Sequence, residues 1–290
     1  MSNLLQGKFS PPFGMMKGRM LNFTLVRFIL PLFFLGPVAW AAPDCEPSFE
    51  LAAPPSFSIF DTDLIQSYQN EVKSLKEQSS DKDQISAALQ KQNRLALQQF
   101  YKKQSSTGTL KLDDAKKILE SMFHHAVIGS EAAQKYDPGG QIGFCFGRAT
   151  FVHLSLLQKQ IPPQKIVKIF ALGKLFKDGS SWDFHVTTAS QDAHGTWWVI
   201  DSLFDELLPL EDWMALVGQW DASPRYPMMR FYFTDAAKFQ PLPGSYDSEL
   251  FHSPLYQKYF DDLSSFFSGR QSCLSNSPTA KPFLFTCQNL

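Results

Sequence analysis

Past residue 60 the apolar positions fall into helical and then alternating patterns. Leu64, Tyr68, Val72 and Leu75 recur at spacings of four, four and three, which puts them on one face of a helix beginning near Asp61. Residues 78–83 are polar and interrupt it. A second helix follows, with Ile85, Leu89, Ala96 and Phe100 as its apolar stripe. Lys, Gln and Glu fill the rest of both, so the pair reads either as a hairpin packed on a larger body or as a removable, regulatory segment. Residues 102–109 are polar, contain Gly108 and mark a boundary. Asp113 is placed to cap a third helix, whose Ala115, Ile118, Leu119, Met122, Phe123 and Ala126 form a wide stripe. Asp137-Pro-Gly-Gly140 is a turn by composition. The apolar run from Cys145 through Leu157 is helical, and Ile161-Pro-Pro163 ends it.

The period then changes to two. Ile166–Phe176, Trp182–Ala189, Thr196–Leu203 and Met228–Thr234 read as strands rich in aromatic and β-branched residues. Lys177–Ser181 is a turn, and Pro209–Trp220 fits a short helix with Asp212 near its start. Beyond Pro241 the chain is aromatic and turn-rich, and no element is assigned. The pattern predicts an α+β fold: a helix starting at Cys145 packed on an antiparallel sheet, with an N-terminal helical extension.

The N-terminus has a different character. Lys17, Arg19 and Arg27 precede the apolar run Phe28–Val38, and Ala39-Trp40-Ala41 offers a small-x-small cleavage site. That order predicts a Sec signal peptide over residues 1–41, with an uncleaved anchor as the alternative. The run is short and broken by Pro31 and Pro37, so no stable membrane insertion is expected after cleavage. Ala42-Pro43-Asp44 is a poor lipobox before Cys45. Residues 42–58 are Pro-rich, a linker or extended arm. The expected division is signal 1–41, a helical region and possible pro-segment 42–105, and a catalytic domain 106–290. Removing 1–41 takes four basic residues from 27 and leaves the 28 acids, a net charge of −5. Nucleic acid, which needs a basic face, is therefore not the expected partner.

An exported chain can keep disulfides. Cys273 and Cys287 flank a short Ser/Pro-rich tail and are the expected pair. Cys45 and Cys145 remain, and a free thiol in an oxidising compartment asks for a reason. No Cys-x-x-Cys occurs, and His124-His125 lacks neighbours at ligand spacing, so no metal or cofactor is expected.

Cys145 taken alone favours a buried structural cysteine. At a helix start, however, a thiolate is stabilised by outward-pointing N–H groups, which also suit a developing oxyanion. Gly143 allows a tight approach, and Gly147 and Ala149 are small where the helix must press on a sheet. A hairpin turning near Ala193 sets His185 opposite Asp201, with Asp183, Thr187 and Val199 on the same face. A bulge at Gly195 shifts this by about a residue. A carboxylate beside an imidazole fixes its tautomer and favours its charged form. The proposed order is Cys145, His185, Asp201. Around them, Gln141 is an amide donor for an oxyanion, Phe144 flanks the nucleophile, and Trp182 is either a cleft wall or a core aromatic. Arg148 is more suited to an ion pair tying helix to sheet than to substrate. His153 reads as core or cleft wall, His194 as hairpin tip, and His252 stays unassigned.

Gly-Phe-Cys145-Phe-Gly-Arg148-Ala, Trp182-Asp-Phe-His185-Val and Trp198-Val-Ile-Asp201-Ser-Leu-Phe204 together resemble the bacterial secreted protein-glutaminases. The resemblance covers about residues 140–205, and the Pro that family has after its Asp is absent here. It implies a papain/transglutaminase-like core, a Cys-His-Asp triad, and deamidation of glutamine side chains in proteins or peptides without a cofactor. It also implies an N-terminal segment that blocks the cleft. The same triad serves a crosslinking transglutaminase or a cysteine peptidase, and an inert secreted binding protein on this fold is the alternative outside enzymes.

Overall fold

A computed structural model describes residues 63–104, 107–129, 134–138, 143–243, 254 and 256–272, all within one compact unit. The signal region, Cys45, Gln141, His252, Cys273 and Cys287 lie outside the described residues. The order is α1 Leu64–Gln78, α2 Lys82–Lys103, α3 Leu112–Phe123, α4 Cys145–Gln158, β1 Ile166–Lys177, β2 Ser180–Gln191, β3 Trp197–Ile200, β4 Leu208–Pro209, α5 Leu210–Gly218, β5 Arg230–Asp235 and α6 Gln257–Ser272. The fold is α+β: helices packed on an open antiparallel sheet ordered β4-β3-β2-β1-β5. Among the described residues no helix is long and apolar enough to cross a membrane.

Local chemistry sets most boundaries. Asp63 and Asp81 accept from Gln66 N and Asp83 N and so start α1 and α2. The cap expected from Asp113 is not made. α3 starts at Leu112, so Asp113 lies inside its first turn, where an acid still complements the helix dipole. The β1–β2 hairpin closes tightly on Asp178-Gly179, both at positive φ.

The sheet has two chemically distinct faces. Ile166, Phe170, Leu172, Val186 and Ile200 face α4. Val167, Ile169, Ala171, Ala189, Trp197 and Val199 face α5, with Leu210 and Trp213, and Phe100 at the end of α2. Helix α4 is tied to β2 by Thr188 Oγ1, which donates to the Ala149 carbonyl at 2.7 Å. Ala149 is therefore small where the helix meets the sheet. Gly147 is small for another reason, since a β-carbon there would overlap the Tyr259 hydroxyl of α6. The apolar positions Tyr259, Phe260, Leu263 and Phe267 bury α6 against α4.

The N-terminal pair covers the outer edge of β5. Asn93 Nδ2 donates to the Met229 carbonyl at 2.9 Å, and Asn93 Oδ1 accepts from Phe231 N at 3.0 Å and Arg230 Nη1 at 2.8 Å. Arg230 also pairs with Glu71 of α1 at 2.8 Å. These contacts pack both helices on the sheet.

Candidate active site

The site begins at a turn. Gly143 and Phe144 have φ of 71° and 46°, so two left-handed residues swing the chain into α4. Asp137 Oδ2 accepts from Gly143 N at 2.9 Å, and the Gly143 carbonyl accepts from Arg148 Nη1 at 2.8 Å. The ion pair to the sheet expected of Arg148 is thus not what it makes; it braces the lead-in to its own helix, because four residues of helix bring its guanidinium back over the turn. Cys145 is then the first residue of α4. The N–H groups of Cys145, Phe146 and Gly147 have no carbonyl a turn behind them within the helix.

His185 and Asp201 share a face of the sheet, as the period of two requires, but they are not directly opposite. The observed pairs are Thr188 with Ile200 and Gln191 with Trp197, a slip of two residues from the expected register. The cause is Asp192. Its Oδ1 accepts from His194 N at 2.8 Å and Thr196 N at 2.9 Å, which centres the turn on His194 rather than Ala193. A slip of two preserves the face. His185 therefore meets Asp201 diagonally, Nε2 to Oδ2 at 2.7 Å, where β3 has just ended.

That face is not the one α4 packs on. Cys145 reaches His185 at the margin of β2, beyond the point where β3 stops. There the Val186 N–H and the His185 ring both hydrogen-bond the sulfur. With Nε2 committed to Asp201, Nδ1 is the nitrogen left for the thiol. Asp201 is held further by Leu203 N on Oδ1 at 3.1 Å and by Trp213 Nε1 on Oδ2 at 2.9 Å. Trp220 stands edge-on to the imidazole, ring centres 5.7 Å apart, and stacks on Phe204.

The electrostatics follow from burial opposed by pairing. Burial alone raises the Cys145 thiol, but the hydrogen bond and charge of His185, the Arg148 charge and the Val186 N–H together bring it below its ordinary value. Burial lowers His185, yet the charge and hydrogen bond of Asp201, with the thiol, raise it to about 9. Burial raises Asp201, and His185, Leu203 N and Trp213 bring it below the usual carboxylate value. These directions describe a thiolate–imidazolium pair oriented by a carboxylate. The three side chains are 8, 4 and 5% exposed, so the pair sits in a low-dielectric pocket.

The other candidates separate. Trp182 is half-buried, packs against the core on the α5 face, and stands beside Gly143, its Nε1 3.5 Å from where a β-carbon would be. The Phe144 ring is buried among Tyr136, Phe146, Tyr256 and Tyr259 and does not wall a cleft; the turn's left-handed backbone points it inward. His153 is core, and His194 is in the turn. His125 accepts from Val127 N and Ile128 N, and its ring lies edge-on to Phe151 and Phe266. Among the described residues Cys145 is a free thiol, and no group of three or more His, Cys, Asp or Glu could hold a metal ion. Sequence reasoning missed Trp213, Trp220 and the Val186 N–H. Trp213 was visible as the apolar position of the short helix after Asp201, but nothing in the pattern aims its indole at a carboxylate. Comparison with known proteins finds no matching family model and no matching curated protein.

Proposed function

We propose that this chain is a cysteine amidohydrolase that converts glutamine side chains of exported or extracellular proteins to glutamate, with a core of the papain/transglutaminase type. The observation that carries the reading is the buried line Cys145–His185–Asp201 at the open end of α4. The Cys145 thiolate adds to the carboxamide carbon, and the N–H groups of the first turn, which have no partner within the helix, face the developing oxyanion. The His185 imidazolium gives its proton to the departing nitrogen as the C–N bond breaks, and ammonia leaves a thioester. Neutral His185 then takes a proton from water as it attacks, and the thiolate departs from the new carboxylic acid. Asp201 keeps the ring in the tautomer both steps need.

Burial supports a side chain over a main chain as the reacting amide. A peptidase lays backbone across its sulfur on both sides of the scissile bond. A sulfur this enclosed suits a slender chain arriving end-on. The signal-like segment supports export, and the resemblance to the protein-glutaminases supports the substrate.

The test incubates the protein and its Cys145→Ala variant with casein, following ammonia and intact mass. Ammonia with a gain of about 1 Da per site, absent in the variant, is expected from replacing an amide by an acid. New peptide fragments overturn the reading in favour of a peptidase, and high-mass adducts in favour of crosslinking. Silence before and after limited proteolysis near residues 102–110 overturns it in favour of a binding protein.

A further inference from the structure

The inference rests on Cys145 as the nucleophile. Among the described residues three non-glycine residues have positive φ: Phe144, Gln160 and Asp178. Gln160 follows the end of α4 and Asp178 sits in a tight hairpin turn, where such backbone is common. Phe144 is different. It is buried, it is aromatic, and it directly precedes the nucleophile, with φ 46° and ψ 28°. An L-residue with a bulky side chain resists this region, because its β-carbon crowds the next carbonyl. It persists only where the surroundings hold it.

What holds it comes from the far end of the chain. The Phe144 ring lies on the Tyr259 ring with centres 4.2 Å apart and planes 16° apart, and Tyr136 and Tyr256 close on its edges. The Tyr259 hydroxyl does not explain why this ring is there. It is buried, has no hydrogen-bond partner among the described residues, and lies against Gly147, where any side chain would overlap it. An unpaired buried hydroxyl is unfavourable. The stack on Phe144 is what the position supplies.

The left-handed turn decides where α4 begins. If Phe144 relaxed to right-handed values, the helix would start earlier. Cys145 would then lose its place at the open end, where its N–H has no partner within the helix and its sulfur meets Val186 and His185. We propose that Tyr259 is a positioning residue for Cys145: stacked on Phe144, it locks the turn that aims the first N–H groups and the thiol of α4. The C-terminal helix α6 is in this way part of the working site.

The test reads the thiol itself, without substrate. Alkylation by iodoacetamide is followed against pH at the Cys145 peptide by mass spectrometry. The unaltered protein reaches half its limiting rate below the pH of an ordinary thiol, about 8.5. Tyr259→Phe keeps the ring and keeps that profile. Tyr259→Met fills the space without stacking; its profile moves up towards the ordinary thiol, with an alkylation rate at pH 6 lower by up to about tenfold for each pH unit moved. Adding Phe144→Gly, which needs no clamp at positive φ, restores the depressed profile. A Tyr259→Met variant with an unchanged profile overturns the inference, as does a shift in Tyr259→Phe. If Tyr259→Met does not fold, the double variant decides: a folded protein with the depressed profile supports the clamp, and any other result reduces Tyr259 to packing. An ordinary profile in the unaltered protein removes the nucleophile reading itself, and so is distinguishable from failure of the Tyr259 role alone.

Discussion

Asp201→Asn removes one charge and leaves the shape. Asp201 Oδ2 accepts from both His185 Nε2 and Trp213 Nε1, at 2.7 and 2.9 Å, and Oδ1 accepts from Leu203 N at 3.1 Å. An indole N–H can only donate. The new amide must therefore turn its oxygen to Trp213 and its nitrogen to Leu203, where one bond is lost. His185 Nε2 still faces an oxygen, so its tautomer survives. The charge does not. Two unit charges about 4 Å apart interact by about 4 kcal/mol at an effective dielectric of 20, which corresponds to about three pH units on the imidazole. His185 then falls from about 9 to about 6 or lower, since burial continues to press it down. At pH 7 the imidazolium drops to about a tenth of the molecules, and the thiolate with it. Alkylation of Cys145 at pH 7 should fall by about tenfold. Ammonia release should fall by about 10²-fold, less than the roughly 10⁴-fold that follows when a triad histidine takes the wrong tautomer. In the unaltered protein the pH–rate curve should have its alkaline limb near 9, where His185 would lose its proton; in Asp201→Asn that limb should move to lower pH. The double variant Asp201→Asn with Trp213→Phe frees the amide to turn over, and should approach the larger loss. An unmoved alkaline limb in the single variant, or a double variant no worse than the single, refutes the reasoning.

Three further outcomes are expected. Gly147→Ala forces its β-carbon into the Tyr259 hydroxyl between two packed helices, and should lower stability by about 1–3 kcal/mol in urea unfolding. Asn93→Ala leaves the Met229 carbonyl, Phe231 N and Arg230 without their buried partner; about 2–4 kcal/mol should be lost, read from the denaturant midpoint at unchanged slope. Lys168 is fully buried, and burial brings it down to about 7, partly offset by the Asp235 charge. The unfolded chain holds that proton up to its ordinary value of 10.5, so stability is lost as pH falls from 10.5 towards 7 and the loss is complete below. Lys168→Met should therefore flatten the stability profile between pH 7 and 10.5, its stability relative to the unaltered protein being highest near pH 7 and falling towards pH 10 in paired thermal melts.

Helices α1 to α3 were legible from their apolar stripes, α4 from a continuous apolar run ended by Pro162-Pro163, and the main strands from aromatic and β-branched runs bounded by turns. The face shared by His185 and Asp201 was legible from the period of two. Their register was not, since it depends on one Asp192 carboxylate gathering two N–H groups of the turn. Nor was the route of Cys145 to His185. Period fixes which way a strand side chain points, but not that β3 would stop at Ile200 and leave room beside Val186. Helix α6 was passed over although Tyr259, Phe260, Leu263 and Phe267 keep helical spacing, because its Ser, Asp and Phe residues have weak helix propensity and tertiary packing supplies the stability instead. The left-handed Phe144 could not be read from type, since an aromatic residue is among the poorest indicators of that backbone.

The two sides of the sheet are finished differently, and this governs how the chain behaves among copies of itself. β4 is two residues long and ends in proline, which has no N–H to offer. On β5 the Asn93 amide occupies the outward backbone groups of Met229 and Phe231. Where Asn93 and Pro209 stand, a neighbouring molecule finds no free N–H on which to build an added strand. A chain stripped of α1 and α2 would bare β5, and fibrous or amorphous association would then compete with refolding. The helical pair thus acts as a guard on the sheet at high concentration.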